Sequence, residues 1–154
     1  MASAASGLLT GCGFQLRRPP QMAFSTLALQ GFAARSPLEA ELRRRLAPGV
    51  RVVDPPAPAQ VVLEALADAR ERSVVSSTTA AQVRALQLRL VFNFRARTPQ
   101  GRELLPRADL LLARDLSYSE TTALAKEYEE AELFREMQTD MVTQVLRRLA
   151  RILL

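Results

Sequence analysis

Leu9-Thr10-Gly11-Cys12 is the stretch whose residue types and order most directly imply chemistry: an aliphatic residue, two small residues and the chain's single thiol. That is the pattern of a lipobox. A lipid-transferring enzyme alkylates the sulfur, and a peptidase that needs small side chains before the cut makes the cysteine the new N-terminus. Cys12 is therefore expected to be lipidated, and a cysteine with two or more acyl chains holds stably to a membrane where one chain holds only marginally. The residues before it, Met1 to Gly7, have no Lys or Arg and fall short of the basic start and apolar run of about 7 to 15 residues that export requires. Residues 1–11 are read as the remnant of a signal peptide whose start lies upstream. Residues 12–21 are read as a lipidated N-terminus and tether, extended by Pro19 and Pro20 and made basic by Arg17 and Arg18.

Other chemistry is removed by what is missing. The chain contains no histidine, so Ser/His/Asp and Cys/His nucleophiles and His-containing metal sites are not available, and an acylated cysteine cannot act as a thiolate. Carboxylate pairs or a Ser/Lys dyad remain, and no spacing points to either. The expectation is a chain that is not an enzyme and takes neither cofactor nor metal. Its 21 Lys and Arg outweigh 16 Asp and Glu, and Lys126 is the sole lysine. A basic balance raises nucleic acid as a partner, but an exported lipoprotein rarely meets any. Anionic lipid phosphate is the better counterpart. No run reaches the roughly 18 apolar residues of a membrane span, so membrane contact is expected through Cys12 alone.

The elements that must position these residues emerge from two periods in the apolar pattern. Met22 to Gln30, with Phe24, Leu27 and Leu29, reads as a first strand. Ser36-Pro37-Leu38-Glu39 reads as a helix start, with Ser at the N-cap, Pro at the first helical position and Glu placed to close a capping box. Leu38, Leu42 and Leu46 then share one face, Glu39, Arg43 and Arg44 turn outward, and Pro48 and Gly49 end the helix. Val50 to Asp54 is a short β-prone run, and Pro55, Pro56 and Pro58 mark a loop.

Residues 60–77 carry two signals. Residues 63–72 are good helix formers, yet alternation from Val61 onward fits a strand. A hairpin through Ser76–Thr79 is the economical connection to the strand at Val83, so strand is the reading. Val83 to Thr98 is less ambiguous. Leu86, Leu88, Leu90, Phe92, Phe94 and Ala96 fall on one face and Gln87, Arg89, Asn93, Arg95 and Arg97 on the other, with Val91 breaking the polarity. After a turn at Thr98–Gly101, the chain returns over 103–117 with Ala108, Leu110 and Leu112 inward, and Pro106 implies an edge or a bulge. From about Glu120 the period becomes helical. Phe134, Met137, Met141, Val145, Leu149 and Ile152 make one stripe in a helix expected to run to the C-terminus, with Glu127, Glu129, Glu130 and Glu132 near its start and Arg147, Arg148 and Arg151 near its end. The fold class is α+β: two helices packed on one face of a mainly antiparallel four-stranded β-sheet, a single domain over residues 22–154.

With those residues placed, the chain resembles the LptE (RlpB) family of outer-membrane lipopolysaccharide-assembly lipoproteins. The likeness lies in Gly11-Cys12-Gly13-Phe14-Gln15-Leu16-Arg17, in the two-strand ribbon from Thr79 to Leu116, and in Ala123-Leu124-Ala125-Lys126-Glu127 followed by Glu130, Met137, Asp140, Leu146 and Arg148. The resemblance implies a partner, the β-barrel LptD, in whose lumen the chain would sit as a plug while aiding barrel assembly and lipopolysaccharide delivery to the outer leaflet. It implies that Lys126 contacts lipopolysaccharide, although pairing with Glu129 or Glu130 at helical spacing is an equally simple role. Arg72 and Arg84, on the strands flanking Ser76–Thr79, are further candidates for the same phosphate-bearing surface. Arg89, Asn93 and Arg95, on the polar face, are the expected barrel contacts. Two readings outside this one are an accessory lipoprotein of another periplasmic lipid-transport system and a small hydrolase using carboxylates.

Overall fold

A computed structural model describes residues 21–54, 58–77, 83–117 and 123–154. Cys12 and its tether, and the hairpin tip beyond Ser77, lie outside the described residues. Seven elements run in order: β1 (Thr26–Gln30), α1 (Pro37–Leu46), β2 (Arg51–Val53), β3 (Val61–Ser77), β4 (Val83–Arg97), β5 (Glu103–Ser117) and α2 (Ala123–Leu149).

The sheet has five strands in the order β2-β1-β3-β4-β5, which corrects the four-stranded expectation. The fifth strand is the short run after α1. β1 is parallel to both β2 and β3, and only the β3-β4 and β4-β5 pairs are antiparallel. For the β1-β2 pair the cause is α1. A helix that crosses over between strands returns the chain in its original direction, so Arg51–Val53 lies alongside Thr26–Ala28.

α1 starts where its sequence says, with the Ser36 hydroxyl accepting a bond from the Glu39 amide at 3.1 Å. Only half of the expected capping box forms, because the Glu39 carboxylate bonds the Arg43 guanidinium at 2.9 Å and the Ser36 amide donates instead to the Ala33 carbonyl. Leu38, Leu42 and Leu46 are buried as their spacing requires.

Residues 61–77 form a strand despite their helical propensity, since β4 offers a long antiparallel partner and tertiary pairing overrides a weak local preference. One extra residue, Leu66, makes a bulge between Ala65 and Ala67. A one-residue slip exchanges the two faces of a strand. Leu63 and Ala65 face the core before the bulge, and after it Asp68, Arg70 and Arg72 sit opposite Phe92, Leu90 and Leu88. β4 alternates, with Leu86, Leu88, Leu90, Phe92, Phe94 and Ala96 all buried on one face and Val91 half-buried on the other. β5 is one of the two edge strands, and both implications of Pro106 hold: it lies at an edge and within the register shift opposite Arg95.

Both helices pack into the same core. Phe134, Met137, Met141, Val145, Leu149 and Ile152 of the expected stripe are buried together with α1's leucines and the apolar face of β4. The helix ends at Leu149 rather than at the C-terminus. Two tighter turns, Arg151 to Arg148 and Ile152 to Leu149, fold the last residues back so that Ile152 is buried. Since α2 begins at Ala123, its first turn holds no acidic side chain, and the glutamates act through pairing more than through the macrodipole. Arg147 and Arg148 do occupy the last turn, where cations favour the dipole.

Candidate functional site

The face of the sheet turned away from the helices carries ion pairs. Arg95 donates to Glu64 across the β3-β4 pair at 2.8 Å, Arg97 approaches the same carboxylate at 3.5 Å, and Arg89 approaches Glu71 at 3.6 Å. The bond from Arg95 is the main reason the Glu64 carboxyl titrates below its usual value, outweighing partial desolvation. Asn93 lies between them, its backbone registered between Ala67 and Asp109. Val91 and Leu111, adjacent on β4 and β5, break the polar surface, and Leu111 is 53% exposed. The structure thus brings Arg89, Asn93 and Arg95 onto one open surface, as their alternation implied, but two of the three are already neutralised by neighbouring glutamates.

The second group lies at the end of the ribbon. Lys126, near the start of α2, donates to Glu129 at 2.6 Å and to the Ser117 hydroxyl of β5 at 3.2 Å. The pairing predicted by helical spacing is present, and Ser117 adds a link that spacing alone does not reveal. Arg72, turned to the helix side by the bulge, lies 3.4 Å from Glu130 of α2. Arg84 belongs to β4 between Val83, registered with Ser77, and Ala85, registered with Ser76; its side chain lies outside the described residues. Lys126 and Arg72 therefore meet the same helix, each held by a glutamate. The same end of the molecule carries large exposed apolar side chains that charge patterns do not single out: Val74 and Val75 at the end of β3, and Leu124 and Tyr128 on the side of α2 turned away from Lys126. Leu124 and Tyr128 are four apart and hence on one side of the helix. That end of the molecule combines cations with apolar surface, a pairing suited to amphipathic anions.

Sequence reasoning also missed a buried polar network under α2. Arg70 lies over the Phe134 ring, 5.2 Å from its centroid, and donates to the Gln138 amide oxygen. Gln138 in turn donates to Glu41 at 2.6 Å and to the Pro37 carbonyl at 3.0 Å, and Thr139 donates to Glu41 at 3.2 Å. Glu41 and Gln138 are both buried, so each needs these partners. The available signal was Glu41 beside Leu42 and three residues after Leu38, on the inner side of an amphipathic helix. Its partners come from α2, far away in sequence. The network joins both helices to β3 and holds no catalytic arrangement. Among the described residues no cluster of acidic or thiol groups is placed to hold a metal, and no helix is long and apolar enough to cross a membrane.

Comparison with known proteins gives two kinds of likeness. The family model LptE, described as lipopolysaccharide-assembly, matches residues 24–149. A search of curated proteins finds no match. Among solved structures, the chain is similar to an uncharacterized lipoprotein B from Nitrosomonas europaea, with a TM-score of 0.74, 25% identity and coverage of 90% of each chain. It is also similar to the rare lipoprotein B of Shewanella oneidensis, at TM-score 0.65 and 27% identity over 82% of this chain and 94% of that one. A minor lipoprotein from Acinetobacter baumannii, at TM-score 0.67 and 24% identity over 84% of this chain and 92% of that one, shares the fold.

Proposed function

The chain belongs to the LptE lipopolysaccharide-assembly family, and from that premise we propose that it is an outer-membrane lipoprotein, anchored through Cys12, that plugs and helps assemble the LptD barrel and delivers lipopolysaccharide to the outer leaflet. The observation that carries this reading is the family match over residues 24–149. The architecture supports it: a helix layer closes one face of the sheet, and the other face is left charged and open. A plug needs such a surface, since a barrel lumen is lined by polar side chains. The decisive experiment is copurification from outer membranes. Recovery of LptD with the full chain is the expected result, and recovery of an inner-membrane transporter in its place would sink the proposal.

Lipidation is tested separately, by mass spectrometry of the mature N-terminus after export behind a complete signal peptide. An exported chain with unmodified Cys12 would remove the anchor.

For the ligand we assign Lys126, Arg72 and Arg84 to lipopolysaccharide, and for the barrel Arg89, Asn93 and Arg95. The ion pairs at Lys126 and Arg72 do not oppose the first assignment. A pair between residues three apart on a helix contributes about 0.2 to 0.5 kcal/mol, and an exposed pair about 0 to 1 kcal/mol. A phosphate offers shorter, charge-assisted hydrogen bonds with more acceptor oxygens, so it can displace Glu129 or Glu130 at small cost. Exposed Val74 and Val75, two and three residues beyond Arg72 on β3, supply apolar surface at the same end of the ribbon, where the acyl part of the same molecule would lie. Lys126→Asp should weaken binding of purified lipopolysaccharide at low salt, where electrostatic contacts matter most, without unfolding the domain. Unchanged binding at low salt would reduce Lys126 to its pair with Glu129.

A further inference from the structure

The two outer edges of the sheet differ. β2 spans Arg51–Val53 only, whereas β5 spans Glu103–Ser117, and from Ala108 to Ser117 its pairing with β4 is regular. A long, regular, apolar edge is a template for another strand, and proteins blunt such edges with proline, bulges or charge. Pro106 and its bulge blunt only the first part of β5. Beyond them Leu110-Leu111-Leu112-Ala113 is uncharged and unbroken. β3, which β1 covers only from Val61 to Glu64, is better protected: Arg70, Glu71 and Arg72 line it, and register shifts interrupt it between Val74 and Ser77.

The charges on β5 select the occupant. Two copies of an edge strand related by a two-fold axis perpendicular to the sheet pair antiparallel, so that residues directly opposite share a face. With the axis through Leu111, the open face sets Leu111 against Leu111 and Asp109 against Ala113, and brings Arg107, the bulge residue next to the regular run, toward Asp115 at both ends. The helix face then sets Leu110 against Leu112 twice. An axis at Leu112 would oppose Asp109 to Asp115, and one at Leu110 would oppose Leu111 to Asp109 and leave both ion pairs unmade. We propose that the β5 edge is a self-complementary docking surface for a second copy of this chain, in antiparallel register centred on Leu111. Arg107 now pairs with Asp109 at 2.8 Å, and Asp115 accepts from Gln87 at 3.2 Å, both at exposed positions. Exposed contacts of this kind are weak, so exchange for partners across the seam is not costly. Opposite charges and aliphatic pairs set directly across a strand boundary both favour association.

The test needs only the purified full chain, so its outcome does not depend on the barrel partnership. Sedimentation velocity over a range of concentrations should show a monomer–dimer equilibrium, and Leu111→Lys should abolish the dimer while circular dichroism stays unchanged. Arg107→Asp and Asp115→Arg should each weaken association by about tenfold or more, because each turns two attractive cross-strand pairs repulsive. Mixing those two variants should restore a heterodimer, since every seam pair is then again one Asp and one Arg. A chain that stays monomeric throughout, or a mixture that associates no better than either variant alone, would overturn the proposal. If the chain is monomeric while the same substitutions abolish LptD copurification, the edge serves a strand of another protein and the second copy is the wrong occupant.

Discussion

Along β4 one strand serves two environments, and the contrast between its faces divides stability from recognition. Toward the helices, Leu88, Phe92, Phe94 and Ala96 are 0% exposed. Toward the open side, the Arg89 and Arg95 side chains are 41% and 44% exposed and answered by Glu71 and Glu64. Full burial of a large aliphatic or aromatic side chain is worth roughly 1.5 to 3 kcal/mol, whereas an exposed ion pair is worth about 0 to 1 kcal/mol. The fold therefore rests on one face. The other contributes little to that burial, and its ion pairs suppress its net charge.

The sharpest way to break this contrast is to open a hole under α2. Met141 is 0% exposed, so Met141→Ala should cost about 2 to 5 kcal/mol, through lost transfer energy and the cavity left behind. Urea unfolding monitored by circular dichroism measures it directly. A variant as stable as the parent would mean that the helix layer is not where stability resides.

A smaller but more diagnostic loss is expected from Gln138→Ala. The substitution removes the donor to buried Glu41 and the acceptor for Arg70. Leaving a buried polar group short of a partner costs about 1 to 3 kcal/mol. The companion variant Glu41→Gln keeps an acceptor oxygen for Gln138 and should lose less. Equal losses would show that the network matters by shape and not by hydrogen bonding.

These two positions also show what was legible in the sequence. The Met141 stripe and the alternation of β4 are written in single segments with one period each, so their buried faces can be read from spacing alone. Glu41 is buried alongside its leucine neighbours, but its partners Gln138 and Thr139 come from α2, and pairing across the fold leaves no local trace. The β3 bulge at Leu66 is illegible for a related reason. Asp68, Arg70, Glu71, Arg72 and Ser73 are polar on both sides of the strand, so no apolar residue marks which parity faces the helices, and nothing near Arg72 in the chain points to Glu130. β2 is too short to show a period, and its parallel pairing depends on where α1 delivers the chain. At the candidate site, the Lys126–Glu129 pair is implied by helical spacing. Ser117, the third member, is not.

The open face can be probed through acid. Glu64 titrates below the usual glutamate value of 4.5, chiefly because Arg95 bonds its charged form. A carboxylate whose pKa is depressed by folding contributes stability that is fully present above the unfolded value and is lost as pH falls through the folded one. Glu64→Gln should therefore lower stability slightly at neutral pH and leave the parent and variant nearly equal well below pH 4.5. Urea midpoints measured across that range test the sign. A difference that grew toward low pH would mean that Glu64 is not stabilised by Arg95.

The smallest expected effect on stability is the one that most sharpens the division between the faces. Alanine at Arg89, Asn93 and Arg95 removes no buried apolar atom, and substitutions at such surface positions usually fall within about 0.5 kcal/mol. Each arginine variant leaves a partly exposed glutamate, Glu71 or Glu64, free to be hydrated, which keeps the penalty small in the isolated chain. Against a barrel the same loss is different in kind, because an interface that excludes water leaves the partner's acidic or amide groups unmatched, and truncating one member of a desolvated charged pair costs about 2 to 5 kcal/mol or more. The triple variant should thus unfold at nearly the parent's urea midpoint yet recover much less LptD in copurification. If recovery is undiminished while Leu124→Ala or Tyr128→Ala reduces it, the barrel reads the ribbon's end and not its open face. If the triple variant is instead destabilised as much as Met141→Ala, the open face bears structural weight, and its division from the covered face fails.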